Sequence, residues 1–209
     1  RPTQFSRLNV EYHTTNEFRR GGNKFDLEPF ETDITEQTKH VINSGGLTYD
    51  LFWKEYKHKL SVYTSAQHVD RNSYYGAQQD QNAYGKTKDL TFVGGGMYVG
   101  NFDKVLFSPA TFTAGMEYQH NKMHDIMAGY NRDLEQKVRI ASAFFQNEWK
   151  LNDFTLLAGF RLDDHNLIDN LIFSPRVNML YKPSDAFQGR LTWSTGFRAP
   201  QAYDEDLHI

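Results

Sequence analysis

Few stretches of this chain have the residue types and spacing of a reactive site. Gly85-Lys86-Thr87 has the tail of a phosphate-binding loop. That motif needs a Gly five residues before its Gly-Lys pair and a strand leading into it; position 80 is Asp, and no strand is read there. Trp193-Ser194-Thr195-Gly196 is not a nucleophile elbow, because position 192 is Thr where the elbow requires Gly. Gly94-Gly95-Gly96 falls inside a predicted strand with no helix after it to hold a pyrophosphate, so a bend or a close backbone approach is the better reading. His120 and His124 bracket a predicted loop, and no third ligand accompanies them. Asp163-Asp164-His165 and Asp204-Glu205-Asp206 are acidic clusters read as solvated loops, with a calcium site as the lesser alternative, since that ion takes hard carboxylate oxygens. The chain has 0 Cys, which removes disulfide scaffolds, thiolate metal sites and thiol nucleophiles. No catalytic set, no metal site and no cofactor are expected.

One stretch suggests recognition. Arg71-Asn72-Ser73-Tyr74-Tyr75-Gly76 and Ala83-Tyr84-Gly85 lie in a predicted long loop rich in Tyr, a residue that offers flat amphipathic contact at low entropic cost. Arg71, Tyr74, Tyr75 and Tyr84 are the expected ligand contacts; the competing reading packs the Tyr rings against the rim of the sheet. The formal net charge of -3 speaks against a nucleic-acid partner.

The elements that position these residues are strands. From Phe154 to Asp163, Phe154, Leu156, Ala158, Phe160 and Leu162 fall on one face; Thr155, Leu157, Gly159, Arg161 and Asp163 fall on the other. The same period of two separates Leu47, Tyr49, Leu51 and Trp53 from Thr48, Asp50 and Phe52, and Phe112, Ala114, Met116 and Tyr118 from Thr113, Gly115, Glu117 and Gln119. Nine strands are predicted, over residues 5–20, 39–53, 57–70, 88–101, 111–120, 138–150, 154–164, 172–181 and 188–197. The class is all-β, with antiparallel up-and-down strands. Short connections at Lys54-Glu55-Tyr56, Asn152-Asp153 and Lys182-Pro183-Ser184-Asp185 alternate with long polar ones at 21–38, 71–87 and 121–137, so the long ones share one end of the sheet.

Hydrophobic residues make only 39% of the chain, yet it carries 16 Phe, 12 Tyr and 3 Trp. The longest apolar run, Phe92 to Gly100, is far short of the ~20 residues a spanning helix needs. Transmembrane barrels combine short turns at one end, longer loops at the other, a lipid-facing apolar surface and aromatic girdles. Tyr12, Trp53, Tyr118, Trp149, Tyr181 and Trp193 stand in the apolar register where girdle residues would. A soluble β-sandwich or small barrel, acting as a binding or adhesion module, alternates in the same way and is the second reading.

The stretch Trp193 to Gln201, with Gly196-Phe197-Arg198-Ala199-Pro200 at its centre, resembles a motif in the barrels of TonB-dependent outer-membrane receptors. Ser174-Pro175-Arg176-Val177 with Tyr181-Lys182-Pro183, and Gln146-Asn147-Glu148-Trp149 with Gly159-Phe160-Arg161-Leu162-Asp163, are similar to preceding strands of that family. Glu17-Phe18-Arg19-Arg20-Gly21-Gly22 and Ser73-Tyr74-Tyr75-Gly76 resemble its Bacteroidetes branch, with siderophore and vitamin B12 receptors as the nearest types. The resemblance implies a 22-stranded barrel with a plugged lumen, of which residues 1–209 are a partial barrel domain without the plug. It further implies residence in the outer membrane among its lipids, active uptake of a ferric siderophore or cobalamin, and coupling to the TonB system through the missing plug. Nine strands cut from a barrel also leave two unpaired edges, so the isolated segment is expected to self-associate.

Overall fold

A computed structural model describes residues 5–197. It contains nine strands: β1 (Ser6–Gly22), β2 (Ile34–Trp53), β3 (His58–Ala77), β4 (Tyr84–Val105), β5 (Ser108–Met127), β6 (Arg132–Leu151), β7 (Phe154–His165), β8 (Ile172–Ser184) and β9 (Phe187–Ser194). They form one antiparallel sheet in strict chain order, with β1 and β9 as its edges. The all-β, up-and-down expectation holds. Two packed sheets are not found among the described residues, which removes the sandwich.

The registers sort every strand into two faces. One row across the sheet reads Leu8, Tyr49, Val62, Gly96, Met116, Ala143, Leu162 and Phe173. Another reads Leu51, Leu60, Tyr98, Ala114, Phe145, Phe160 and Pro175. This face is open to the surroundings: Met116 is 71% exposed, and Val10 and Leu191 in neighbouring rows 68% and 67%. On the opposite face, Asp50, Ser61, Ser142 and Asp163 are buried. The described buried hydrophobics are only Tyr74, Ala83, Ala110, Met123 and Met127. A water-soluble domain buries its apolar face and exposes its polar one; this sheet does the reverse.

On β4 the apolar face runs from Phe92 to Phe102, ~33 Å at ~3.3 Å per residue. Tilted as barrel strands are, that length spans a vertical band of ~25 Å, the height of a lipid-facing belt. Aromatic pairs mark the short-turn end, with Trp53 stacked on His58 at 5.5 Å, Phe107 on Trp149 at 5.9 Å and Phe154 on Tyr181 at 4.4 Å. Starting in the row of Trp53 and His58, Phe112, Phe145, Phe160 and Phe173 form a ladder over four strands, with centroid separations of 5.0, 5.8 and 5.8 Å. Each such cross-strand pair contributes roughly 0.5–1.5 kcal/mol.

Several expected boundaries are corrected. The expected loops 71–87 and 121–137 are mostly strand and 21–38 is shortened: residues 23–33, 78–83 and 128–131 connect β1 to β2, β3 to β4 and β5 to β6. Those strands continue beyond the apolar band with polar side chains on both faces, so no alternation betrays them. The size asymmetry survives in reduced form, because the opposite end uses residues 54–57, 106–107, 152–153 and 185–186. His120 and His124 lie within β5, and Asp163, Asp164 and His165 within β7, on alternating faces instead of in a loop cluster. β9 ends at Ser194, short of Phe197.

Candidate functional site

The polar face carries the groups able to recognise a ligand. Halfway along the strands, Tyr63, Gly95, Glu117, Ser142 and Asp163 occupy one row on five consecutive strands. Tyr63 on β3 lies across β4 and donates its hydroxyl to Glu117 Oε2 on β5 at 2.7 Å. It can do so because the residue beneath it is Gly95: a Cβ there would stand 2.7 Å from the Tyr63 ring and 2.7 Å from the Met116 carbonyl. Arg161 on β7 ties the other side. Its Nε donates to Asp163 Oδ1 at 2.8 Å, and its Nη2 donates to Ser142 Oγ at 2.7 Å and to Glu117 Oε1 at 3.1 Å. Ser142 donates to Asp163 at 2.6 Å and Gln119 to Glu117 at 3.0 Å. Two carboxylates and one guanidinium thus form a connected network across five strands, in which charged donors and acceptors share partners.

A second network sits eight residues further along β5, beyond the apolar band. Asp125 is 1% exposed. Thr87 donates to its Oδ1, Arg132 Nε lies 2.7 Å from its Oδ2, and Arg71 Nη2 lies 3.6 Å from its Oδ1. Arg71 also donates to Thr87 Oγ1 through Nε at 3.1 Å and Nη2 at 2.9 Å. Two guanidinium groups share one carboxylate, and the row of Arg71 continues through His40 on β2 to Glu17 on β1.

A pocket of about 580 Å³ opens on the same face between β6 and β9, lined by Gln146, Arg161, Asp163, Ser174, Arg176 and Phe197 among others. Phe197 turns its ring edge-on to His165 at a centroid distance of 6.4 Å. The expected last strand ran to residue 197; it ends at Ser194, and Phe197 beyond it meets a residue of the polar face. Gly196 precedes it in the same segment, and Arg198, Ala199 and Pro200 lie outside the described residues.

The four expected ligand contacts are not in a loop. Arg71, Tyr74 and Tyr75 belong to β3, and Tyr84 to β4. They divide between the faces. Arg71 and Tyr75 point to the polar side, while Tyr74 and Tyr84 share a row on the other, with rings 4.8 Å apart and nearly perpendicular. Tyr74 is buried and donates its hydroxyl to the Asp80 carbonyl at 2.9 Å, so it clamps the 78–83 connection. Burial pushes the Tyr74 hydroxyl above its usual phenolic range, with Asp80 adding to the shift. Glu117, Ser142, Arg161, Asp125 and Arg132 were missed as site residues. The signal available for them was their shared polar register, and what joins them is the cross-strand alignment.

No group of three or more His, Asp or Glu able to hold a metal ion is found among the described residues, so the minority calcium reading of 163–165 has no geometry behind it. The cluster at Asp204, Glu205 and Asp206 lies outside the described residues.

The model of the family described as TonB dependent receptor-like, beta-barrel matches residues 1–207. The chain belongs to that family. Several solved structures share its fold. The siderophore receptor PirA from Pseudomonas aeruginosa superposes with a TM-score of 0.75 at 16% identity, over 97% of this chain and 32% of that one. PirA from Acinetobacter baumannii gives 0.71 at 14% identity, over 96% and 32%. The ferric citrate transporter FecA in its unliganded form gives 0.58 at 12% identity, over 88% and 32%. The chain therefore spans about a third of the length of each of these proteins. No curated protein sequence matches it.

Proposed function

We propose that this chain is a section of the wall of an outer-membrane receptor that actively takes up an anionic iron chelate of the siderophore class. The observation that carries the reading is the inverted ribbon: an exposed apolar face of bilayer height backed by a buried, hydrogen-bonded polar face. Iron chelates are favoured by the structural neighbours, whose names are those of siderophore and ferric citrate receptors. An anionic ligand suits the two guanidinium groups, Arg71 and Arg132, gathered at Asp125 on the polar face, and Arg71 and Tyr75 are the two of the four expected contacts on that face. Binding there needs no covalent chemistry. Energy for release would reach the ligand through a plug that couples to TonB, a partner this wall section would meet only indirectly.

The test is uptake of radiolabelled iron by cells deleted for the gene, each supplied with a single ferric chelate, with cobalamin as a parallel arm. Gene-dependent uptake of a ferric chelate that falls in an Arg71→Gln strain supports the proposal. Dependence on cobalamin alone would move the ligand to that class. Independence of every chelate and of cobalamin would overturn the uptake reading.

A further inference from the structure

The three longer connections are bonded to one another as well as to their own strands. The Gln78 N–H donates to the Asp33 carbonyl at 2.8 Å and joins 78–83 to 23–33. The Gly129 N–H donates to the Asn82 carbonyl at 2.7 Å, and the Tyr130 hydroxyl donates to the Tyr75 carbonyl at 2.9 Å. These two bonds join 128–131 to 78–83 and to the end of β3. The turns approach so closely because residue 129 is Gly: a Cβ there would stand 2.6 Å from the Asn82 carbonyl oxygen. Within 78–83, Asp80 accepts from Tyr74 through its carbonyl and from the Asn82 N–H through its carboxylate at 2.8 Å. Of the described buried hydrophobics, Tyr74, Ala83, Met123 and Met127 all lie toward this end. The longest connection leans to the outer side. Its Pro29 and Thr32 are buried, and the Thr32 hydroxyl meets that of Thr35 at 2.6 Å. Thr35 pairs with Gly76, which places it on the face of Tyr74 and opposite to Arg71 and Tyr75.

We propose that Tyr74 and Tyr130 are positioning residues for ligand recognition: they stitch the three connections into one preformed rim, which holds Tyr75 and Arg71 in place before a ligand arrives and does not close over it. The inference rests on the uptake reading above and names how that site selects its ligand. Both backbone groups of Tyr75 are engaged, its N–H with the Ala83 carbonyl at 3.1 Å and its carbonyl with Tyr130. Its side chain therefore projects from a fixed backbone, four residues along the same strand face from Arg71. A preformed mouth avoids the cost of ordering a loop at the moment of binding, and it selects by the shape it already has.

The experiment follows backbone hydrogen exchange in the complete receptor in detergent micelles, with and without saturating ferric citrate, ferric tris-catecholate or ferric tris-hydroxamate. In the wild type, peptides covering residues 74–80 and 127–131 should exchange slowly without chelate, and a chelate that binds should leave their rates unchanged. Tyr74→Phe combined with Tyr130→Phe keeps both rings and removes both hydroxyls. It should speed exchange in those peptides roughly two- to tenfold per bond lost. It should leave residues 92–100 of β4 as slow as before and make exchange at the rim depend on chelate. Chelate association should slow in this variant while dissociation holds, because only the competent fraction binds; loss of a direct contact would speed dissociation instead. Slow exchange that appears in the wild type only with chelate, or a rim unchanged in the double variant, would overturn this inference and leave the uptake reading standing. Failure of every chelate to bind would overturn the uptake reading and the positioning role with it.

Discussion

Met116→Arg separates a lipid-facing surface from a water-facing one. Met116 is 71% exposed and stands in an entirely apolar row, between Phe92 and Phe102 in its level on the neighbouring β4. If water bathed that face, an exposed Met→Arg change would alter stability by no more than about 0.5 kcal/mol. In a bilayer the same charge near the midplane costs about 2–4 kcal/mol, roughly 30- to 700-fold in the folded-to-unfolded ratio. Gln67→Arg provides the internal control, because Gln67 is exposed on the polar face and both environments tolerate a cation there. Urea unfolding of the receptor in lipid vesicles, followed by tryptophan fluorescence, gives both free energies on one scale. A Met116→Arg cost no larger than that of Gln67→Arg would refute the assignment of this face to lipid, and with it the reading of the fold as a membrane wall.

Four further outcomes follow from the geometry. Gly95→Val should displace the Tyr63 ring and break its hydrogen bond to Glu117, costing about 2–3 kcal/mol in the same unfolding assay, since bonds to charged groups contribute ~1.5–3 kcal/mol. Arg161→Met leaves Glu117 and Asp163 without their shared cation and should cost about 3 kcal/mol, whereas adding Glu117→Gln should recover part of that loss in a double-mutant cycle. In the 23–33 connection, the Asp33 carboxyl is held below its ordinary value first by the Lys24 hydrogen bond and then by Asn23. Its small stabilising effect is present above the unfolded-state pKa and is lost as pH falls through the lowered value, so in Lys24→Ala an NMR titration should find Asp33 protonating at higher pH. Residues 1–209 expressed alone should self-associate through the free edges of β1 and β9, and a monodisperse monomer by light scattering in detergent-free buffer would contradict this.

What the sequence made legible follows from where a strand has two unlike faces. Within the apolar band most outward residues are apolar, with exceptions such as Thr64 and Asn147, so Phe154 to Leu162 and Phe112 to Tyr118 declared both their strand character and their orientation. Above the band both faces are wet. Residues 71–77, 121–127 and 132–137 lose the contrast, and the polar run that reads as a loop is in fact continuous strand. The same loss misassigned Arg71, Tyr74, Tyr75 and Tyr84 to one exposed loop, although parity along β3 and β4 splits them two and two between faces. Gly94-Gly95-Gly96 was legible as a close approach, but not its partner, since nothing local says that residue 95 will lie between residues 63 and 117.

Register, then, carries the information that single strands lack, and it bears on energetics as well as position. A sheet whose described residues form no buried aliphatic core draws little stability from interior packing. What remains is the backbone ladder, contact of the apolar face with lipid, and the polar networks. The networks are conditional: Arg161 stabilises only because Glu117, Ser142 and Asp163 arrive within 3.1 Å of it from β5, β6 and β7 at one level. A one-residue slip of β6 against β5 would turn Ser142 toward lipid and Ala143 toward the guanidinium, exposing a polar group to hydrocarbon and stranding a charge in the lumen together. The alternation that marks the two faces and the ion pairs that join the strands therefore penalise the same error, and they hold the five strands from β3 to β7 in the one register that presents Arg161 and Arg71 to the polar face and Met116 to the apolar one.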